Sequence, residues 1–196
     1  MMIEKKINDK TWEELMRELI DTSYSLLKVK NDDESIIPSS FFKKVFYYQE
    51  LYKIVDELHK KESIIPIPDW IEKEMEYQEK IKKAKAYEVC YSKNRDYELY
   101  QTIVNRKYVH IRKEIGGKET VHSIPKEEFL KVIESLHLYD WKGDFYNPVV
   151  KDEELWFVNI SYSKENNERL YGLNSFPSGF SYLINCLRDW TKEEKM

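Results

Sequence analysis

The residues best able to do chemistry in this chain are four histidines, two cysteines and several runs of charge. The histidines are His59, His110, His122 and His137. His110 and His122 flank Gly116-Gly117, a pair suited to the positive φ angles of a two-residue hairpin turn. Symmetric pairing about that turn sets His110 opposite Ser123 and His122 opposite Ile111, which puts the two rings on opposite faces of a sheet. A three-residue loop with a bulge would shift the register and bring both to one face, where a general base or a metal pair is conceivable. A zinc site needs three or four ligands, and no third ligand has diagnostic spacing here. The sequence also lacks a phosphate loop, a nucleophile elbow and a paired-carboxylate signature. No catalytic residue, cofactor or metal is therefore expected. Cys90 and Cys186 are far apart and read as two reduced thiols.

Two charged regions offer binding rather than chemistry. From Lys80 to Lys118 there are eleven basic and four acidic residues, a segment of net +7 in a chain of net −4, which leaves −11 for the rest. Tyrosines at 87, 91, 97, 100 and 108 are interleaved with these cations, so a nucleic-acid surface using Lys82, Lys85, Arg95, Arg106, Lys107 and Arg112 is one expectation. Against it, the isoelectric point near 5.7 opposes general attraction to polyanions, and charge runs usually form solvated faces whose lysines pair with nearby carboxylates such as Glu72, Glu74, Glu76 and Glu79. The second region, residues 139 to 154, gathers Asp140, Asp144, Asp152, Glu153 and Glu154 around Trp141, Phe145 and Tyr146. Aromatic anchors within an acidic rim suit a protein partner, because rings supply buried area and carboxylates steer a cationic surface. The competing account packs Trp141 and Phe145 beneath the loop as part of the core.

The elements that must position these groups follow from composition and period. The chain has 196 residues, 41% hydrophobic and 35% charged, with mean hydropathy −0.71. It is long enough for one good core or two small ones. It holds no apolar run near the roughly 18 to 20 residues that cross a bilayer. Met1 to Lys6 lacks the apolar stretch of a signal peptide. A cytoplasmic protein with no membrane partner is expected, of unspecified oligomeric state. Only five glycines occur, leaving few places where backbone could approach a phosphate.

Thr11 and Glu14 have capping-box spacing ahead of Trp12, Leu15, Met16, Leu19, Ile20, Tyr24 and Leu27, which predicts a first amphipathic helix. Ser39 or Ser40 can cap a second, with Phe41, Phe42, Val45, Tyr48, Leu51, Tyr52, Val55 and Leu58 on its buried face. Asp69 and Glu72 repeat the capping spacing before a third, highly charged helix through about Ala86. From Tyr97 the period shifts to two, giving strands at 99–104, 108–115 and 119–124, then a short helix after Pro125, two more strands and a final helix over Phe180 to Trp190. The class predicted is α+β: an N-terminal helical region, 1–90, followed by an antiparallel sheet of about five strands covered by two helices, 91–196.

In that last part, Trp141, Trp156 and the run Tyr171-Gly172-Leu173-Asn174-Ser175-Phe176-Pro177 resemble a loosely defined group of small uncharacterised bacterial proteins. In these a strand with an early Trp is followed by a Gly-x-Asn-x-aromatic-Pro turn into a C-terminal helix. Here the turn before the last strand is Glu165-Asn166-Asn167 rather than glycine-rich. The resemblance implies a fold; physically Gly172 suits a close approach at the strand end, Asn174 a local backbone bond and Pro177 the end of pairing. The functional expectation is a non-enzymatic protein-binding module, an inhibitor or immunity factor of a bacterium or phage, acting through Trp141, Phe145, Tyr146, Asp140 and Asp144. The alternative is a nucleic-acid-associated regulator using the 80–118 segment.

Overall fold

The computed structural model describes residues 6–31, 38–61, 67–93, 96–143, 145–147 and 154–192. They form two compact units, residues 1–75 and 76–196.

The first unit is helical. After a 3₁₀ turn at Ile7–Asp9, α1 spans Trp12–Asn31 and α2 spans Pro38–Lys60. The capping box forms as its spacing requires: the Thr11 N–H donates to Glu14 Oε2 at 2.7 Å and the Glu14 N–H to Thr11 Oγ1 at 3.3 Å. Leu15, Leu19 and Leu26 of α1 meet Tyr48, Leu51, Ile54, Val55 and Leu58 of α2 in one apolar cluster, joined by Ile67 and Ile71. These positions recur at three- and four-residue intervals, so one stripe of each helix is removed from water. Helix α3, Asp69–Ile81, crosses the division between the units. It ends five residues before Ala86, where the sequence had carried it.

The second unit is a seven-stranded sheet in the order β4-β3-β2-β1-β6-β7-β5, with β1 at Ala86–Lys93, β2 at Asp96–Val104, β3 at Tyr108–Ile115, β4 at Lys118–Pro125, β5 at Phe145–Tyr146, β6 at Glu154–Ser161 and β7 at Asn167–Leu173. All neighbours are antiparallel except β5 and β7. The class is α+β as expected, but the strands number seven rather than five. Strand β1 escapes the alternation test because it lies at the centre of the sheet, and Cys90 on one face is buried alongside Tyr87 and Val89 on the other. Strand β5 has only two residues, too few to show a period. The boundary expected at 90/91 lies within β1.

Helices α4, Lys126–Ser135, and α5, Phe180–Trp190, lie against one face of the sheet. Tyr87, Val89, Tyr100, Val109, Ile111, Trp156, Val158, Ile160 and Leu170 point into that core, where Phe129, Val132, Ile133, Leu183, Ile184 and Leu187 meet them. The Tyr87 and Phe129 rings pack edge to face at 5.2 Å. The strand period of two thus delivers one apolar face to the helices and leaves the other without cover from them.

Candidate functional site

The acidic, aromatic region does not present the surface its composition suggested. Residues Leu138–Lys142 form a 3₁₀ turn that drives Trp141 into the core, 1% exposed. Its ring sits edge-on to Trp156 at 5.7 Å and against Phe180 at 6.0 Å, and its Nε1 donates to the Ser178 carbonyl at 3.2 Å. Phe145 is half-buried against Trp156 at 5.7 Å. Asp140 is half-buried at the turn, and Asp144 lies outside the described residues, as do 148–153. Of the five residues expected to grip a partner, Tyr146 alone offers an exposed ring, 63% accessible. Trp141 is a core residue: a buried indole gains more area here than a loop tip could give it, and its N–H finds a carbonyl.

The same aromatic cluster accounts for the Gly-x-Asn-x-aromatic-Pro run. Gly172 pairs with Trp156 across β6 and β7, and a Cβ there would lie 2.5 Å from Trp156 Nε1 and 2.7 Å from Phe145 Cβ. Asn174, at φ 56°, holds the left-handed conformation that few side chains tolerate. Its Oδ1 accepts from the Glu154 N–H at 2.7 Å, and its Nδ2 donates to the Asn147 carbonyl at 3.3 Å. Trp156 Nε1 donates to the Ser175 carbonyl at 2.7 Å. Gly172, Asn174 and Ser175 are thus spent on folding.

What remains available is the face of the sheet turned away from α4 and α5. Register places Tyr171, Phe157, Cys90 and Leu99 in one row across β7, β6, β1 and β2, and Leu173, Leu155, Ser92 and Tyr97 in the next. Tyr146 of β5 adjoins Leu173. Tyr171 is 69% exposed and Leu155 43%, while the Arg169 guanidinium lies 4.4 Å from the centre of the Phe157 ring. These are contiguous apolar groups on one side of a half-covered sheet. The sequence signal for them was the outward position of each strand alternation, which composition alone does not distinguish from ordinary surface.

The histidines are dispersed. His110 pairs with Ser123 and Ile111 with His122, the register of the two-residue turn, so the two rings face opposite ways. His110 Nδ1 is 2.7 Å from Ser123 Oγ. His137 is buried, 3.3 Å from Gln78 Nε2, and His59 is exposed at the end of α2. Among the described residues no group of three or more His, Cys, Asp or Glu side chains could hold a metal ion. Both cysteines are free, and burial raises the thiol pKa of each.

The basic segment is divided between the two ends of the sheet. Lys82, Lys85, Arg106 and Lys107 come together at the end where β1 begins and β2 turns into β3: the Val104 N–H donates to the Lys85 carbonyl at 2.8 Å. Arg112 lies midway along β3 on the open face, paired with Glu119. Arg95 lies outside the described residues. The lysines do not find the α3 carboxylates as a set. Lys82 pairs with Glu79 at 2.8 Å, but Lys80 reaches Glu168 at 3.1 Å and Lys93 reaches Glu154 at 2.5 Å.

One cleft of about 310 Å³ opens between α5 and the sheet, lined by Tyr91, Glu154, Phe176, Phe180, Ile184 and Arg188 among others. Its charges are already committed. Arg188 grips Glu98 with Nε at 3.0 Å from Oε2 and Nη2 at 2.6 Å from Oε1, and Tyr100 Oη donates to the same carboxylate at 2.6 Å. Burial pushes the Glu98 carboxyl upward, and the Arg188 and Tyr100 hydrogen bonds outweigh it and hold the group below the usual carboxylate range. Glu154 forms an ion pair with Lys93 at 2.5 Å.

No protein-family model matches the chain, and neither a curated protein nor a solved structure shows significant similarity to it. Among the described residues no helix is long and apolar enough to cross a membrane.

Proposed function

We propose that this chain is a non-enzymatic protein-binding module, of the inhibitor or immunity kind, that occludes its partner with the open face of the sheet on the β5–β7–β6 side. The observation that supports this reading is the exposure of Tyr146, Leu155 and Tyr171 on adjacent strands, where neither α4 nor α5 covers them. A tyrosine brings a large ring with few rotatable bonds and a hydroxyl at its tip, which makes it a frequent anchor of binding energy at interfaces. The binding surface thus moves from the Trp141 turn to the sheet beside it, and the 139–154 region contributes Tyr146 at its rim.

The reading is tested with a Tyr171→Ala, Leu155→Ser double variant compared with the wild-type chain as bait in nuclease-treated lysate of the native host. The partner is retained by the wild type, and the variant loses affinity by about thirtyfold or more, the scale of about 2 kcal/mol for an interface hot spot. Equal retention by a folded variant overturns the reading.

A further inference from the structure

Strand β1 starts, β2 turns into β3, β4 ends and β6 turns into β7 at the same end of the sheet, because these six strands alternate in direction. That arrangement collects Lys83 and Lys85 from the approach to β1, Arg106 and Lys107 from the β2–β3 turn, and Lys164 from the β6–β7 turn. The sequence segment 80–118 supplies four of these cations; Lys164 comes from 46 residues beyond its end and is brought in by the fold alone.

The five share a second property. Lys80, Lys82, Lys93, Arg112, Lys142 and Arg188 each meet a carboxylate within salt-bridge distance, whereas Lys83, Lys85, Arg106, Lys107 and Lys164 are exposed and pair with none among the described residues. Glu165 is the acidic residue beside Lys164 in the turn. Clustered cations without counter-charges repel one another, and a bound anion relieves that repulsion.

Between Lys85 and Lys164 lies an open cleft of about 660 Å³ whose other walls are Ser161, Ser163 and Asn167. Both hydroxyls are oriented by the protein. Ser163 Oγ accepts from the Asn166 N–H at 3.1 Å, and Ser161 Oγ accepts from the Asn167 amide at 2.9 Å when that amide is turned to satisfy both its ends. Each hydroxyl therefore keeps its proton to donate to a further acceptor. Two ammonium groups with two such hydroxyls match the oxygens of a phosphate diester. Beside Lys107 at the start of β3, Tyr108 is half-exposed on the open face, a ring on which an unpaired base can stack.

We infer that this end of the sheet is a binding site for the phosphodiester backbone of single-stranded nucleic acid, with Lys83, Lys85, Arg106, Lys107 and Lys164 as the phosphate contacts and Tyr108 as the stacking ring. It is separate from the apolar face proposed to bind protein, which lies on β5, β6 and β7 toward the opposite ends of those strands, so either can fail without the other. It also differs from the set read from sequence: Arg112 is excluded by its pairing with Glu119.

The test is binding of the whole chain to a fluorescent 20-nucleotide mixed-sequence single strand, as DNA and as RNA, between 50 and 200 mM salt. Five phosphate contacts give a slope of log affinity against log salt of about −3.5, a loss of about a hundredfold over that range. A Lys85→Ala, Arg106→Ala, Lys107→Ala variant should bind more weakly with a slope shallower by about 2, and Lys164→Ala with a slope shallower by about 0.7. Arg112→Ala should bind as wild type, and Tyr108→Ala should weaken binding at every salt concentration without changing the slope. All six substituted positions are exposed, and an unchanged thermal midpoint confirms that the four variants are folded. The inference is overturned by absence of binding at 50 mM salt, by a slope that the triple variant does not alter, or by binding to phosphatidylserine vesicles with none to either oligonucleotide.

Discussion

Replacing Gly172 with alanine tests whether the glycine in the C-terminal motif is there for the Trp156 ring. The added methyl would lie 2.5 Å from Trp156 Nε1, 2.7 Å from Trp156 Cε2 and 2.7 Å from Phe145 Cβ, closer than nonbonded heavy atoms approach. The indole is fully buried, 0% exposed, between Trp141, Phe145 and Phe180, so it cannot swing into solvent. Overpacking of this kind costs about 1 to 3 kcal/mol. If the ring shifts far enough to break the Nε1 bond to the Ser175 carbonyl, an unsatisfied buried donor adds about 1 to 3 kcal/mol. The expected loss for Gly172→Ala is therefore about 1 to 3 kcal/mol if that bond survives and about 2 to 6 kcal/mol if it breaks. Urea unfolding followed by tryptophan fluorescence measures it. Pairing the change with Trp156→Phe, which removes the atoms nearest the new methyl, should give a coupling of about 1 kcal/mol or more toward rescue. A single-variant loss below about 0.5 kcal/mol, within the range of ordinary surface substitutions, would refute the packing role.

Further outcomes follow from the same geometry. Trp141→Ala should destabilise by about 3 to 5 kcal/mol in equilibrium unfolding, as a large buried ring does; a change near zero would return Trp141 to the surface role its sequence context suggested. Glu98 is held below the ordinary carboxylate range against the upward push of burial, and so is Glu168, where the Lys142 and Lys80 hydrogen bonds outweigh burial. Because both folded-state pKa values lie below the unfolded ones, their contribution is complete above about pH 4.3 and is lost as pH falls through the lower folded values. The urea midpoint should drop between pH 5 and pH 3, and Glu98→Gln should have a lower midpoint at pH 7 with a shallower acid dependence; an unchanged dependence would contradict the assignment. Cys90 and Cys186, with thiol pKa values raised by burial, should react slowly with a disulfide reagent at pH 8 in the native state and fully in urea. Rapid native labelling of both would contradict it.

Much of the second unit was legible because its strands obey simple periodicity. Gly116-Gly117 made the symmetric β3–β4 register, and with it the separation of His110 from His122, the simpler of the two the sequence allowed, and the strands adopt it. Thr11 and Glu14 likewise announced α1 through a local hydrogen-bond exchange. Strand β1 was missed because burial on both faces erases the alternation that reveals a strand, and β5 because two residues carry no period. The proposed binding surfaces were less legible, for two different reasons. Trp141 has the composition of an anchor, but whether an aromatic residue in an acidic loop faces in or out depends on the cavity beneath it, which Trp156 and Phe180 create from distant parts of the chain. The 80–118 cations look like one cluster in sequence, yet antiparallel pairing sends Lys85 and Arg106 to one end of the sheet and Lys93 and Lys118 to the other. Lys164 joins the first group only through the β6–β7 turn. Which cations are already neutralised, such as Arg112 by Glu119, is a tertiary fact with no local trace.

The measurement that bears most directly on the central claim is affinity capture from nuclease-treated host lysate with two baits side by side, the wild-type chain and its Tyr171→Ala, Leu155→Ser variant. One stoichiometric protein retained at moderate salt by the wild type, and lost by the variant at unchanged thermal stability, is the outcome expected if the open β5–β7–β6 face occludes a protein partner. A protein held equally by both baits, or by neither, would contradict it.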